Sequence, residues 1–204
     1  MKKIMLLLAL SCLVSTNAYA VSPYISAKAK MVFSENTVRV KSANKKYSID
    51  NNVVGANFAA GLQQSFSAGN WRTEIEYAKN ANAEQKRNGH NNIAKAQAFF
   101  LNTYFDFDIN QPVMPYVGGG IGLGRAQFIT PEYKKTHNDF AYNLGAGVAY
   151  NFNDNLAFDL GYRYVRYLDY SDAHTNSVSG DGKATFKSQA HEILAGLRYN
   201  FGEF

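Results

Sequence analysis

The last apolar segment of the chain, residues 188–201, alternates with a strict period of two. One set of alternate positions holds bulky apolar side chains and ends in two aromatics: Ile193, Ala195, Leu197, Tyr199 and Phe201. The other set holds small or charged side chains, among them Glu192 and Arg198. A period of two predicts a β-strand. Bulky apolar residues on one face and charges on the other favour a sheet with an apolar outside and a polar inside, as in a transmembrane β-barrel.

The same alternation recurs along the chain and predicts eight strands. They cover residues 23–33, 53–66, 71–79, 96–107, 115–128, 140–152, 156–168 and 188–201. Short turns follow the second, fourth and sixth segments. Long polar loops follow the first, third, fifth and seventh segments and cover residues 34–52, 80–95, 129–139 and 169–187. An even strand number, with short turns at one end and long loops at the other, is typical of outer-membrane barrels. We therefore expect an all-β fold, an eight-stranded antiparallel up-and-down transmembrane β-barrel.

The N-terminus has the pattern of a secretory signal: a basic start, a short apolar run, and small residues at a cleavage position. We predict a signal peptide over residues 1–20, with Ala18 and Ala20 at the cleavage site, and a barrel domain over residues 21–204. The apolar run is too short to span a membrane as a helix. Cys12 raises the alternative of a lipoprotein, but the residues before it fit a lipidation site poorly.

Ten charged residues fall on the inward-facing positions of the predicted strands, five of each sign. They are Lys28, Lys30, Arg72, Arg163 and Arg198, and Glu74, Glu76, Asp106, Asp159 and Glu192. Buried charges persist when they are paired, and side chains can fill a barrel of eight strands. We expect an ion-pair network that fills the lumen, with the alternate glycines from Gly118 to Gly124 leaving room for long Arg, Glu and Tyr side chains.

The outward-facing positions carry aromatic residues near both strand ends, as lipid–water interfaces select. A soluble barrel is the alternative, but it would expose a continuous apolar belt to water. Two predicted loops carry an excess of basic residues, including Lys45, Lys46, Lys86 and Arg87. One interpretation is that they pair with lipopolysaccharide phosphates of the outer leaflet. The sharper hypothesis is a loop surface that engages a polyanion or a host ligand.

Catalytic chemistry finds little support in the sequence. His90, His137 and His174 lie in predicted loops, whereas His191 lies on the lipid-facing side of its strand and Ser188 does not. A nucleophile needs a base within reach, and no such arrangement or HExxH zinc spacing is present. The glycine-rich segment lacks the GxGxxG spacing of nucleotide sites. We expect no enzyme activity, catalytic residue, cofactor, metal site or nucleic-acid partner.

The chain resembles the opacity-type outer-membrane β-barrel family, kin to the OmpA and OmpX-type eight-stranded barrels. The resemblance is carried by PYVGGGIGLG at 115–124, FAYNLGAGVAYNF at 140–152, LAFDLGYRYVRY at 156–167 and HEILAGLRYNF at 191–201. Members include adhesins, serum-resistance factors and structural barrels, so the resemblance implies a location in the outer membrane of a Gram-negative bacterium. It transfers no loop residue, because adhesive determinants in the family lie in variable loops.

The resemblance also implies that outer-membrane assembly machinery reads an aromatic residue on the lipid-facing side of the last strand. We predict Tyr199 and Phe201 as this assembly signal. Phe204 looks like the usual terminal aromatic, but in an unbroken strand it would point inward.

The sequence leaves three functions open: a structural or adhesin-like surface barrel, a narrow porin for small solutes, and an outer-membrane lipid-modifying enzyme.

Overall fold

The computed structural model describes residues 21–40, 45–81, 83–87, 90–129, 134–172 and 184–202. The predicted signal peptide with Ala18 and Ala20, and the terminal Phe204, lie outside these residues. The strands are β1 (Val21–Val40), β2 (Lys45–Phe66), β3 (Gly69–Asn80), β4 (Ala83–Arg87), β5 (His90–Phe107), β6 (Val113–Ile129), β7 (Lys134–Asn151), β8 (Leu156–Asp172) and β9 (Ala184–Asn200). No helix in this described part is long and apolar enough to cross a membrane.

Eight of the strands close into a barrel in which every neighbouring pair is antiparallel. The order runs β3-β2-β1-β9-β8-β7-β6-β5, and pairing of β3 with β5 completes the circle. The first and last strands meet along a seam from Tyr24, opposite Asn200, to Val40, opposite Ala184. The predicted eight-stranded antiparallel barrel is therefore confirmed.

Side chains alternate between a buried inside and an exposed apolar outside, as the sequence pattern predicts. On β9, Glu192 and Arg198 are buried, whereas Ile193 and Leu197 are 46% and 49% exposed. Isoleucine and leucine would face water in a soluble protein, but the hydrocarbon of a bilayer solvates them. The alternation therefore identifies the outer wall as the surface that contacts lipid.

The strands extend well beyond the predicted boundaries, and the predicted loop limits are wrong. The β1–β2 ladder continues to Val40 opposite Lys45, inside the predicted loop 34–52. In the predicted loop 80–95, β4 pairs with the start of β5, with Ala83 opposite Ala94. Once a hairpin register is set, its backbone ladder continues through polar residues. These segments are predominantly polar, so the sequence pattern predicts loops rather than strands there.

At the end of the barrel where β1 ends and β2 begins, here called the loop end, the wall divides into two four-stranded sheets. The β2–β3 ladder stops at Gly55 opposite Asn80, and the β7–β8 ladder stops at Ala141 opposite Tyr167. Farther out, β2-β1-β9-β8 form one sheet and β4-β5-β6-β7 the other. Among the described residues, no ladder joins β2 to β4 or the first part of β7 to β8.

Short β4 continues the direction of β3 after a bulge. Lys79 of β3 lies opposite Gln97, and Ala83 of β4 lies opposite Ala94. One strand therefore advances one residue more than its partner over this interval, which is the definition of a bulge. The bulge coincides with the point at which β2 loses its neighbour.

The opposite end, here called the turn end, is closed by short connections that match the predicted turns. Asn153 Oδ1 accepts hydrogen bonds from the backbone N–H groups of Asn155, at 3.0 Å, and Leu156, at 2.8 Å. The Asp108 carboxylate accepts one from the N–H of Asn110 at 2.8 Å, where φ is +56°. Asparagine tolerates this left-handed conformation better than most residues.

Candidate functional site

The inward-facing charges predicted from the sequence all lie in the interior of the barrel. Each of the ten is 8% exposed or less, and Arg72 and Asp106 are fully buried. They come from five strands, β1, β3, β5, β8 and β9, and nine of them form two clusters, whereas Glu74 binds polar neutral side chains. The clusters lie at different heights along the barrel axis.

The cluster nearer the turn end centres on Asp106. The Arg72 guanidinium binds this carboxylate with two hydrogen bonds of 2.7 Å, and Arg198 Nη1 donates a third of 3.1 Å. Arg198 Nε and Lys28 Nζ each lie 3.7 Å from Asp159 Oδ2. A bidentate arginine–carboxylate pair is strong and directional, so this cluster fixes β1, β3, β5, β8 and β9 relative to one another.

The second cluster centres on Arg163. Its Nη1 donates to Glu76 Oε1 at 2.7 Å, and its Nε donates to Glu192 Oε2 at 2.8 Å. Lys30 Nζ binds the other oxygen of Glu192 at 3.0 Å. The Phe100 ring lies 5.2 Å from the guanidinium carbon. Arg163 of β8 thus reaches across the lumen to β3, which no local hairpin contact would achieve.

Glu74 is held by neutral donors that the sequence interpretation missed. The Tyr24 hydroxyl donates to Glu74 Oε2 at 2.8 Å, and Asn102 Nδ2 donates to Oε1 at 3.2 Å. Asn143 Nδ2 donates in turn to Asn102 Oδ1 at 2.9 Å. Tyr24 lies four residues before Lys28 and therefore on the same face of β1. The alternation in the sequence was the signal that could have placed Tyr24 in the lumen.

Rings of tyrosine surround the Arg72 guanidinium, which lies 4.8 Å from the centre of Tyr104, 5.3 Å from Tyr116 and 5.7 Å from Tyr24. Such contacts stabilise a desolvated cation. The glycines of β6 make the space for neighbouring side chains. A Cβ atom on Gly118, Gly120, Gly122 or Gly124 would overlap Tyr104, Asn102, Phe100 or Tyr167, respectively.

The predicted purpose of this glycine row was therefore only partly right. The tyrosine part holds, because Tyr104 and Tyr167 use the space. Arginine and glutamate side chains are not among the nearest contacts of these four glycines. Asn102 and Phe100 of the adjacent strand β5 occupy these positions instead, because β5 presents alternate residues directly beside the glycines of β6.

An apolar layer between the Arg163 cluster and the loop end was not predicted. It consists of Val32, Ala78, Ala98, Phe100, Ala141, Val165 and Ala190. Toward the turn end, Tyr104, Met114, Tyr116 and Ala149 pack together. Between these layers, a cavity of about 20 Å³ is lined by Lys28, Glu76, Asn143 and Arg163, among others. Its volume suits about one water molecule.

His191 lies on the outside of the barrel, near the loop end. Its Nδ1 atom is 2.5 Å from the Tyr162 hydroxyl, and its ring centre is 5.3 Å from that of Tyr164. The side chain of Ser188 lies outside the described residues. Within the described ranges, no three His, Cys, Asp or Glu residues form a group able to hold a metal ion.

The predicted loop cations lie on two strands at the loop end. Lys45 and Lys46 belong to β2, where Lys46 is opposite Arg39 of β1. Lys86 and Arg87 belong to β4. The backbones of the four are described, whereas their side chains lie outside the described part. The structure thus places all four on the strands that flank the break between the two sheets.

Tyr199 and Phe201 face outward at the turn end, with ring centres 5.2 Å apart. The Phe201 N–H donates to the carbonyl of Pro23 at 3.0 Å. At Gly202 the φ angle is +91°, so the alternation stops there. The condition under which Phe204 would point inward, an unbroken strand, is therefore not met at Gly202, and Phe204 itself lies outside the described residues.

Comparison with known proteins gives one family. The model of the outer membrane protein beta-barrel domain matches residues 5–201. Uncharacterised proteins of Brucella abortus (strain 2308) and Brucella suis biovar 1 (strain 1330) are each 32% identical over 139 residues, which are 54% of this chain and 49% of the relative. The chain therefore spans about half the length of these relatives.

Three solved structures share the fold. Neisserial surface protein A has a TM-score of 0.55 and 18% identity, covering 89% of this chain and 99% of its own. Ail of Yersinia pestis, in complex with the heparin analogue sucrose octasulfate, has a TM-score of 0.53 and 19% identity, and the match covers 88% of this chain and 99% of Ail. OprG of Pseudomonas aeruginosa has a TM-score of 0.57 and 12% identity, and the match covers 90% of this chain and 97% of OprG.

Proposed function

The chain belongs to the outer membrane protein β-barrel family, and on this basis we propose that it is a surface-interaction barrel with a filled lumen. It is a multi-pass protein of the outer membrane of a Gram-negative bacterium. In this proposal, the turn end faces the periplasm and the loop end faces the exterior. The basic strands of the loop end engage a polyanionic ligand.

The distribution of charge carries this proposal. Inside the barrel, five basic and five acidic residues offset one another. At the loop end, Lys45, Lys46, Lys86 and Arg87 come from separate parts of the sequence to two strands that flank one break in the wall. A concentration of one sign of charge on an exposed surface raises the local concentration of oppositely charged ligands.

Ail supplies a precedent for the ligand class, since its structure contains a sulfated heparin analogue. For the present chain, sulfate or phosphate groups are the chemistry that the four basic residues suit. Lipopolysaccharide phosphates and a host polyanion are two sources of that chemistry. Binding assays with each source distinguish them.

The packed lumen favours this function over a narrow pore. Arg163 binds both Glu76 and Glu192 within the lumen. An apolar layer lies between Arg163 and the loop end. Among the described side chains, His191 contacts the Tyr162 hydroxyl, and this contact gives no support to a lipid-modifying activity. We infer that the protein acts by binding rather than by catalysis.

Reversing the four loop-end charges tests the proposal. In the variant Lys45→Glu/Lys46→Glu/Lys86→Glu/Arg87→Glu, we expect heparin to bind the refolded barrel at least about tenfold more weakly, or about 1.4 kcal/mol. The loss should shrink in high salt because salt screens exposed charges. Isothermal calorimetry in nanodiscs measures both effects. Lys79→Glu/Lys95→Glu, which reverses two exposed lysines outside this set of four, is the control.

Unchanged heparin binding in the fourfold variant contradicts the polyanion hypothesis. A loss of binding to lipopolysaccharide micelles alone would assign the four residues to lipid phosphates. An equal loss of binding free energy per reversed charge in the control variant would show that net charge, and not the position of the residues, decides the affinity.

We also propose that Tyr199 and Phe201 are recognised during assembly. Replacing Phe201 by alanine should lower the folded protein recovered from outer-membrane fractions by about twofold or more, because an interfacial aromatic anchor is lost. Heat-modifiable gel migration measures the folded fraction. Phe152→Ala, a similarly exposed aromatic at the turn end, is the matched control. Normal insertion of Phe201→Ala together with failure after deletion of Phe204 would assign the signal to Phe204.

A further inference from the structure

We propose that the break between β2 and β4 is a docking site for an extended acidic polypeptide segment, which binds by adding a strand to an open edge. The β2/β4 gap is defined here by residues 45–52 of β2 and 83–87 of β4. The inference rests on the proposed surface-interaction function and names its class of partner. Its first support is the backbone pairing at the loop end.

In the β2/β4 gap, each strand is paired on one side. Residues 45–52 of β2 pair with β1, and residues 83–87 of β4 pair with β5. The hydrogen bond from Ala81 N–H to the Val54 carbonyl, 2.8 Å long, links the two walls just below the gap. In a ladder, alternate residues direct their N–H and C=O groups to opposite sides. Among the described residues, the N–H and C=O groups on the side of each strand away from its partner therefore face the gap.

Open strand edges bind other strands, and proteins limit this reaction with short edges and charged residues. The β4 edge is five residues long and contains Lys86 and Arg87, while the longer β2 edge begins with two lysines. The positive charges of these residues oppose pairing with a second copy of the same edge. The same charges attract an acidic strand, so these residues both exclude and select partners.

The second break in the wall has the opposite charge balance. Residues 134–140 of β7 and 168–172 of β8 contain two lysines and three aspartates. The β2/β4 gap contains four basic residues against Asp50 and Glu84. Both breaks have open edges, but only the β2/β4 gap has a charge suited to an acidic strand. Backbone pairing would supply affinity, and charge would select this gap.

The probe is a labelled decapeptide of alternating glutamate and threonine, titrated into the full barrel in nanodiscs and followed by fluorescence anisotropy. We expect saturable binding. A peptide of the same sequence, N-methylated at alternate residues, keeps every charge but loses the N–H groups of one edge. Of the two possible N-methylated registers, at least one should bind about tenfold more weakly, since several backbone hydrogen bonds disappear.

Proline substitutions test the protein side. Of two consecutive residues on an edge strand, one directs its N–H to the neighbouring strand and the other to the open side. At least one of Ser48→Pro and Ile49→Pro should therefore weaken peptide binding about tenfold. Heparin binding should stay within about twofold, because neither change alters charge. Thr136→Pro in β7, beside the other break, is the matched control and should leave both affinities unchanged.

The two proposals fail separately in this design. Absence of peptide binding, binding of both N-methylated peptides as tight as that of the unmodified peptide, or no effect of either β2 proline overturns strand addition. If heparin binding still depends on the four basic residues, the polyanion function stands without it. If heparin binding is insensitive to them while the proline variants abolish peptide binding, strand addition stands and the polyanion function fails. Heat-modifiable migration of each variant verifies that the barrel is folded.

Discussion

Replacement of Asp106 by alanine is expected to destabilise the barrel by about 3–5 kcal/mol. The change removes both hydrogen bonds to Arg72 and the bond from Arg198. Both guanidinium groups are buried, so neither can recover its hydration without opening the packed lumen. The expected cost reflects the buried Arg72 guanidinium left without its carboxylate partner, and Arg198 left with only the 3.7 Å contact to Asp159, rather than the loss of hydrogen bonds alone.

Denaturant titration of the refolded protein in lipid bilayers measures this cost, with the single Trp71 as fluorescent reporter. Asp106→Asn keeps the side-chain volume and one acceptor oxygen, so its cost should be smaller than that of alanine. Asp154→Ala, at an exposed turn position, should change stability by no more than about 0.5 kcal/mol. A cost of Asp106→Ala as small as that of Asp154→Ala would contradict the view that this carboxylate organises the lumen.

Replacement of Ile75 by arginine should also be severe, for a different reason. Ile75 is 65% exposed on the outer wall, between the outward-facing aromatics Trp71 and Tyr77. An arginine there lies in hydrocarbon, which costs about 2–4 kcal/mol near the bilayer midplane and about 0–1 kcal/mol near an interface. In a water-soluble barrel, the same change would cost little.

The depth dependence is the informative measurement for the outer wall. Val113→Arg, at the start of β6 near the turn end, should cost much less than Ile75→Arg in the same bilayer titration. In thinner bilayers, the difference should shrink. Equal costs at the two positions would contradict the assignment of Ile75 to the middle of the lipid-facing belt.

The sequence predicts the membrane-embedded part of the fold well because the two faces of each strand meet different surroundings. Residues 156–168 alternate Leu, Phe and Tyr with Asp159 and Arg163, so both faces are recorded in the composition. At the loop end the strands are predominantly polar, and β4 falls in a stretch that reads as a polar loop. Backbone ladders there depend on the register set below.

The lumen shows the same division between what parity predicts and what it does not. Parity places Glu74 and Arg163 inside, but it does not predict their partners. Those depend on the height of each strand along the barrel axis, which follows from register and strand tilt. Thus Glu74 receives its hydrogen bonds from Tyr24 and Asn102, and the apolar layer around Val165 forms from isolated residues on separate strands.

The seam between β1 and β9 also determines when the barrel can form. The other ladders of the barrel join strands close in sequence, whereas Tyr24 pairs with Asn200. Contacts between distant residues carry a large loop-closure entropy and form slowly. Until β9 arrives, both β1 and the growing end of the sheet remain open to other chains. Completion of the last strand therefore ends the interval in which this protein is most prone to aggregate.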